Sequence, residues 1–248
     1  MDLKAHRWRR CLLGGIDDIY RLRMFDLATP KLEELPISEI DRDMLRTFPT
    51  ETFFGDHVAE LRNVLMWYAW TNKGLSYCQC FSFIAFAVYR VFHHNDRRHA
   101  MIDTYYSIHK LILLVKPLLP KDSNDASPLE YVDALTASVL LDIVKHDHAL
   151  YDALKTKDVI KITILKGVST LFLNWFSSSQ GIDLLDFIVH ADTTVMFDRV
   201  MKFLVAFFIV NREYFLHFER EKLFELMTEK QLYAPFYSML WRAKALSQ

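Results

Sequence analysis

Residues that interrupt regular backbone structure are scarce in this chain, which has only six glycines and seven prolines among 248 residues. A β-sandwich or β-barrel needs a turn about every 8–12 residues, and this chain has too few turn-forming residues to supply them. Hydrophobic residues make up 52% of the sequence, which is enough for a sizeable core. The sequence therefore predicts an all-α protein.

Apolar residues recur at spacings of three and four along most of the chain, as expected for helices that bury one face. We expect about 11–13 helices, of which the clearest cover residues 56–70, 77–92, 101–115, 129–145, 159–176, 194–210, 214–227 and 231–245. The clearest interruption is the proline-containing, polar segment 117–128. We interpret the chain, residues 1–248, as one domain with an N-terminal lobe of about residues 1–120 and a C-terminal lobe of about residues 128–248.

Charge and composition exclude several classes of protein. The formal net charge of -1 argues against nucleic acid as a partner, because such binding requires a basic surface. No apolar run approaches the roughly 20 residues needed to cross a bilayer, and the N-terminus does not resemble a signal peptide. Three cysteines without a disulfide spacing indicate a reducing compartment. We expect a cytoplasmic protein, peripheral to endomembranes at most, with no metal site and only indirect membrane contact.

A short helix is predicted before Pro49, because a proline disfavours continuation of the helix that precedes it. Ser38 is the predicted N-cap, and the helix should end near Arg46. A long cation at the end of a helix and beside a stiff loop can project into solvent. The alternative is an ordinary surface arginine that stabilises the helix C-terminus.

A second segment, residues 72–81, predicts a turn followed by a helix that begins at Ser76. Gln79 stands three residues after Ser76, as in a capping box, where its side chain would bond the backbone N–H of Ser76. The alternative is that the Gln79 amide serves a partner.

Together the two segments resemble the TBC-domain family of Rab GTPase-activating proteins. The first motif is similar to I-x-x-D-x-x-R followed by T-F-P, and its residues here are Ile40, Asp43, Arg46, Thr47, Phe48 and Pro49. The second is similar to Y-x-Q, with Tyr77 and Gln79. Their order and their spacing, with one helix between them, also suit that family, and weaker similarities at Trp8 and Trp175 extend the resemblance along nearly the whole chain.

The resemblance implies a V-shaped, two-lobed TBC-type fold that acts on a Rab-family small GTPase in its GTP form, in vesicle trafficking. Arg46 would be an arginine finger that stabilises charge on the transferring phosphoryl group, an effect worth about 10³–10⁵ in rate, or about 4–7 kcal/mol. Gln79 would orient the attacking water, and Asp43 and Tyr77 would support these two groups. The protein would regulate an enzyme without being one, and GTP and Mg²⁺ would be carried by the partner, so that no cofactor of its own is expected.

Some positions depart from the family pattern. Cys80 and Phe81 stand where the family usually has a glycine and a methionine-like residue, and the added Cβ and thiol of Cys80 can shift Gln79 or crowd the partner. One alternative is therefore a catalytically weak or inactive TBC-like scaffold that binds a GTPase or another partner. Another is a helical carrier that encloses an apolar ligand, which the aromatic-rich helix faces would suit. The resemblance further implies that Ile40, Thr47, Phe48, Pro49 and Cys80 support the site or contact the GTPase.

Overall fold

Helices form the regular secondary structure of the protein. The computed structural model describes residues 3–14, 36–75, 77–119, 126–229 and 231–248, and this part of the chain contains no strand. The all-α prediction is confirmed. None of the helices in these ranges combines the length and the apolar run that a membrane crossing requires.

Fourteen α-helices lie in the described ranges, slightly more than the sequence predicts because several are short and separated by single turns. They are α1 Leu3–Trp8, α2 Ile37–Arg46, α3 Thr52–Asp56, α4 Val58–Thr71, α5 Cys80–Asn95, α6 Ala100–Val115, α7 Ser127–Val144, α8 His148–Leu154, α9 Val159–Gly167, α10 Ser178–Ile188, α11 Thr193–Val210, α12 Arg212–His217, α13 Arg220–Thr228 and α14 Phe236–Leu246. A π-helical segment, Arg9–Leu13, continues α1.

The chain divides into two compact units, one of residues 1–125 with 189–193 and the other of residues 126–188 with 194–248. The division at 125/126 falls inside the interruption that the sequence predicts, although residues 120–125 of that interruption lie outside the described residues. Pro128 lies in the first turn of α7, where the missing N–H costs no helical hydrogen bond. The interpretation of the whole chain as one domain stays a prediction.

The central helix of the first unit is α5, which has eleven of its sixteen residues buried. A helix that is apolar on nearly all sides must be covered by neighbours, and α1, α4 and α6 pack against it. Trp8 of α1 is fully buried, as is Phe92 near the end of α5. This packing places the N-terminus of α5 at a defined position in the unit.

The core of the second unit is an aromatic cluster around α11. Trp175 stacks on Tyr233 with ring centroids 4.6 Å apart, and Phe172 lies 5.0 Å from Phe203 of α11. The aromatic face of α11 thus contacts other side chains of the unit. This packing explains the apolar stripe, which had suggested an apolar ligand, as part of the core.

One predicted helix, residues 159–176, ends early. Helix α9 stops at Gly167, and the chain then reverses through a 3₁₀ turn, with Leu171 and Phe172 at positive φ angles of 50° and 61°. A Cβ atom on Gly167 would lie 2.5 Å from Trp175 and 2.7 Å from Phe172. The reversal therefore needs a residue without a side chain at 167, which the periodicity of apolar residues does not reveal.

Two other predicted helices are also interrupted. The segment 214–227 is divided between α12 and α13, with Phe218 in an extended conformation between them. The segment 231–245 is a 3₁₀ turn, Gln231–Tyr233, followed by α14, which begins after Pro235. Proline is tolerated in the first turn of a helix but not in its interior, so the boundary falls there.

We predict that Gly167→Ala lowers the free energy of unfolding by about 1–3 kcal/mol, because its Cβ overlaps two aromatic rings that are themselves held by packing. Gly55→Ala is the matched control, since nothing lies within 4 Å of its Cβ. Urea denaturation of the two variants measures the difference, and equal midpoints would contradict this account of the turn.

Candidate functional site

Arg46 is the last residue of α2, and Thr47 is already extended, so the predicted end of this helix is confirmed. The helix begins at Ile37 after Pro36, and the predicted N-cap role of Ser38 is wrong: its hydroxyl bonds Glu39. The side chain of Arg46 is 57% exposed. The structure thus places the guanidinium at the solvent-facing end of a short helix.

The Asp43 carboxylate holds the guanidinium of Arg46. Nε of Arg46 donates to Oδ1 of Asp43 at 2.9 Å and Nη2 donates to the same oxygen, while Asp43 itself is buried. In the described part of the chain, Asp43 is the one hydrogen-bond partner of Arg46. Nη1 takes no part in these two hydrogen bonds, which fix the orientation of the guanidinium.

Tyr77 lies near the Asp43 carboxylate. Burial, followed by the nearby Asp43 charge, raises the pKa of Tyr77, so its hydroxyl stays protonated at neutral pH. The hydroxyl is buried and makes no hydrogen bond within 3.5 Å in the described residues. Tyr77 and Arg46 therefore both lie near the Asp43 carboxylate, and the supporting roles of Asp43 and Tyr77 stay a prediction.

The loop after α2 is anchored on α5. Phe48 has a positive φ of 46°, a conformation that costs about 1–3 kcal/mol for a residue other than glycine. Its ring packs 4.7 Å from Phe86 and 5.3 Å from Phe83, which offsets this cost. Pro49, next along the chain, is exposed. The chain direction after Arg46 is thus set by a side chain packed on α5.

Gln79 immediately precedes α5, which begins at Cys80, so the prediction that this helix begins at Ser76 is wrong. Ser76 lies outside the described residues. Gln79 occupies the N-cap position instead of the third helical position that a capping box requires, and its side chain makes no capping bond. The residue is partly exposed, and its amide has no hydrogen-bond partner in the described residues. The amide can therefore both donate to and accept from a water or a partner.

A pair of buried hydroxyls joins the two segments. Oγ1 of Thr47 lies 2.7 Å from Oγ of Ser82, although the residues are 35 apart in sequence, and both side chains are buried. Thr47 also contacts the carbonyl of Asp43 at 2.8 Å, and Ser82 contacts the carbonyl of Gln79 at 2.7 Å. The three contacts share only two hydroxyl protons. When one hydroxyl donates to the other, it therefore cannot also donate to the backbone carbonyl beside it.

The network therefore runs from the backbone beside Arg46 to the backbone of Gln79. It brings the C-terminal end of α2 and the N-terminal end of α5 together through one direct contact. The positive end of the helix dipole of α5 adds to the positive charge of Arg46 in this region. Such an arrangement can stabilise negative charge on a bound group.

Three of the remaining predicted site residues lie beneath this surface. Ile40, Thr47 and Cys80 are buried, at 0%, 0% and 2% exposure, so their side chains do not reach a partner. The Cys80 thiol therefore does not face solvent, and its effect on an approaching protein stays a prediction. Phe48 is partly exposed.

Cys78 and Cys80 are both free thiols on either side of Gln79. The Cys80 thiol donates to the Cys78 sulfur and lowers the pKa of Cys78 to about 7, although burial opposes this shift. The same hydrogen bond, followed by burial, raises the pKa of Cys80 well above its usual range. The pKa of Cys78 is thus lowered, and that of Cys80 is raised.

The family profile of the Rab-GTPase-TBC domain matches residues 17–216 of the chain. This span covers well over half of the sequence and includes both segments described above. Together with the all-helical fold, the match shows that the chain belongs to the Rab-GTPase-TBC domain family. That membership connects the protein to the activation of Rab-type small GTPases in general terms.

Ser82 is the residue of this site that the sequence reasoning missed. The only signal for it was its position one helical turn after Gln79, and a serine there is equally consistent with an ordinary helix residue. Its role depends on Thr47, and no local pattern connects residues that far apart in the chain.

We predict that Ser82→Ala and Thr47→Val each lower the free energy of unfolding by about 1–3 kcal/mol, because each leaves a buried polar group without a partner. The double variant should cost less than the sum, with a coupling of about 0.5–3 kcal/mol. Urea denaturation of the four proteins in the cycle measures this coupling, with Ser169→Ala, a partly exposed serine that bonds a helix carbonyl, as the control for loss of a hydroxyl. Strict additivity would show that the two hydroxyls do not interact.

Proposed function

We propose that the protein accelerates GTP hydrolysis by a Rab-type small GTPase, with Arg46 and Gln79 as catalytic groups supplied in trans. The observation that carries the proposal is the Thr47–Ser82 hydroxyl contact, which joins the two segments that bear these groups. It connects an exposed cation and an amide that has no hydrogen-bond partner among the described residues, at the ends of two neighbouring helices.

The proposed role of Arg46 is to neutralise charge that develops on the γ-phosphoryl group and the leaving oxygen. A guanidinium presents a planar set of donors that can contact two phosphate oxygens at once. Asp43 already bonds Nε and Nη2, which orients the plane of the group before a partner arrives. Preorganisation of this kind adds rate because the group need not reorient in the transition state.

The proposed role of Gln79 is to orient the attacking water. A carboxamide accepts a hydrogen bond from that water with its oxygen and donates one to a phosphate oxygen with its nitrogen. The first turn of α5, in which Ser82 N donates to the Gln79 carbonyl at 3.0 Å, holds the backbone of this residue. Tyr77 and Asp43 would support the arrangement from beneath, and Phe48 and Pro49 would line the surface beside it.

The partner in this proposal is the GTP form of the GTPase, which carries both GTP and Mg²⁺, so that the protein needs no cofactor. We place it in the cytoplasm, in vesicle trafficking, with membrane contact only through the GTPase.

A catalytically weak or inactive TBC-like scaffold is the second candidate. The observation that favours it is the pair of hydrogen bonds from Arg46 Nε and Nη2 to Asp43, because a bound phosphate would compete for the same donors. The Cys80 side chain, in the position where the family usually has glycine, also fills space under Gln79. A scaffold of this kind would bind the GTP-loaded partner without accelerating hydrolysis.

We predict that Arg46→Ala and Gln79→Ala each lose most of the stimulated hydrolysis, with a loss of about 10³-fold or more for Arg46→Ala. The assay is single-turnover GTP hydrolysis by a panel of GTP-loaded Rab GTPases, with circular dichroism to check folding. Arg42→Ala, an exposed arginine of the same helix, is the matched control and should retain full stimulation.

Arg46→Lys separates charge from geometry. Lysine keeps the charge but loses the fork, so it should recover only a small part of the activity. Undiminished hydrolysis in both alanine variants would overturn the proposal. Tight binding of a GTP-loaded Rab without any stimulation by the wild-type protein would establish the scaffold instead.

A further inference from the structure

A cavity of about 380 Å³ lies in the first unit, among α4, α6 and the π-helical segment that continues α1. This volume is within the range of small-molecule sites. Of the residues that line it, Tyr68 is 1% exposed and Leu113 is 41% exposed, so the cavity extends from the core to the surface. None of its described lining residues takes part in the site around Arg46 and Gln79. The cavity is therefore a second place at which a ligand can be held.

Aromatic side chains form much of the cavity wall. The rings of Tyr105 and Tyr106 are nearly perpendicular, with centroids 4.9 Å apart, and the ring of Tyr68 lies 6.0 Å from that of His109. Hydrogen bonds hold these rings in place. The Tyr105 hydroxyl donates to Oγ1 of Thr71 at 2.8 Å, and the Tyr68 hydroxyl lies 3.1 Å from Nδ1 of His109. A planar aromatic ligand would meet ring faces and edges that are already positioned for it.

The charge of the cavity comes from Lys110. Its Nζ donates to the backbone carbonyls of Cys11 at 2.9 Å and Ala191 at 2.6 Å, which leaves one of its three N–H groups for another acceptor. Burial, followed by the charge of Lys116, lowers the pKa of His109, so this imidazole is neutral at neutral pH. No carboxylate is among the described lining residues. The ammonium charge is thus uncompensated within the cavity wall, which favours a ligand with an anionic group.

We propose that this cavity is a binding site for a small planar aromatic carboxylate. The aromatic ring of the ligand packs among the tyrosine rings, and its carboxylate accepts a hydrogen bond from Nζ of Lys110. An aliphatic acid would lack the contacts between rings, and a neutral aromatic compound would lack the ion pair. This site is independent of the function proposed for Arg46 and Gln79.

The first test is isothermal titration calorimetry of the full chain with 2-naphthoate at neutral pH. We expect a Kd of about 1 mM or tighter. The neutral 2-naphthamide should bind about tenfold more weakly, because it lacks the charge. Octanoate keeps the carboxylate without the ring and should bind about threefold to tenfold more weakly. Absence of 2-naphthoate binding up to about 10 mM would overturn the proposal, as would equal affinity for either of the other two compounds.

The second test places the ligand in this cavity through charge at an exposed lining position. Leu113→Glu adds a carboxylate there and should weaken 2-naphthoate binding about tenfold. Leu113→Gln, of the same size but neutral, should bind nearly as wild type does. Leu129→Glu is the matched control, since Leu129 is an exposed leucine of the second unit, and its affinity should not change. Equal affinity in Leu113→Glu and Leu113→Gln would show that the ligand lies elsewhere.

Lys110→Met tests the ion pair itself. It should weaken 2-naphthoate binding about tenfold while the affinity for 2-naphthamide stays the same. Circular dichroism checks the fold of this variant, because Nζ of Lys110 also bonds two backbone carbonyls. A folded Lys110→Met protein that still prefers the carboxylate over the amide would refute the role of Lys110. If this variant does not fold, the comparison of Leu113→Glu with Leu113→Gln still decides the site.

Discussion

The site depends on one contact between two buried hydroxyls, because nothing else in the described residues ties the backbone beside Arg46 so directly to that of Gln79. Thr47 and Ser82 are fully or almost fully buried, and water cannot replace either partner. A buried polar pair of this kind contributes specificity of arrangement as well as stability, since each group left alone carries a desolvation cost. The contact therefore joins the segments that bear Arg46 and Gln79, although 32 residues separate these two in sequence.

Around that contact, the site follows the ordinary rules of helix ends. The C-terminal end of α2 suits a cation and the N-terminal end of α5 suits negative charge. Asp43 serves both sides, because it binds the Arg46 guanidinium and faces the Tyr77 hydroxyl. The family match implies a Rab-type small GTPase as partner in general terms.

The cysteines show how one residue type can change what a site does. A glycine after the glutamine would leave that position inert, whereas Cys80 points inward and lowers the pKa of Cys78 beside it. The Cys80 side chain is buried, so this departure from the family pattern adds no exposed group beside Gln79.

The sequence by itself determined the helical class, the end of α2 before Pro49 and the family, because these follow from local periodicity, proline chemistry and short motifs. It misplaced the start of α5, since a serine and a glutamine three apart look like a capping box whether or not a helix surrounds them. It also missed the break at Gly167 and the role of Ser82. Both depend on side chains that meet only after folding, Trp175 over Gly167 and Thr47 beside Ser82. Contacts of this kind carry no local signature, so tertiary packing alone decided them.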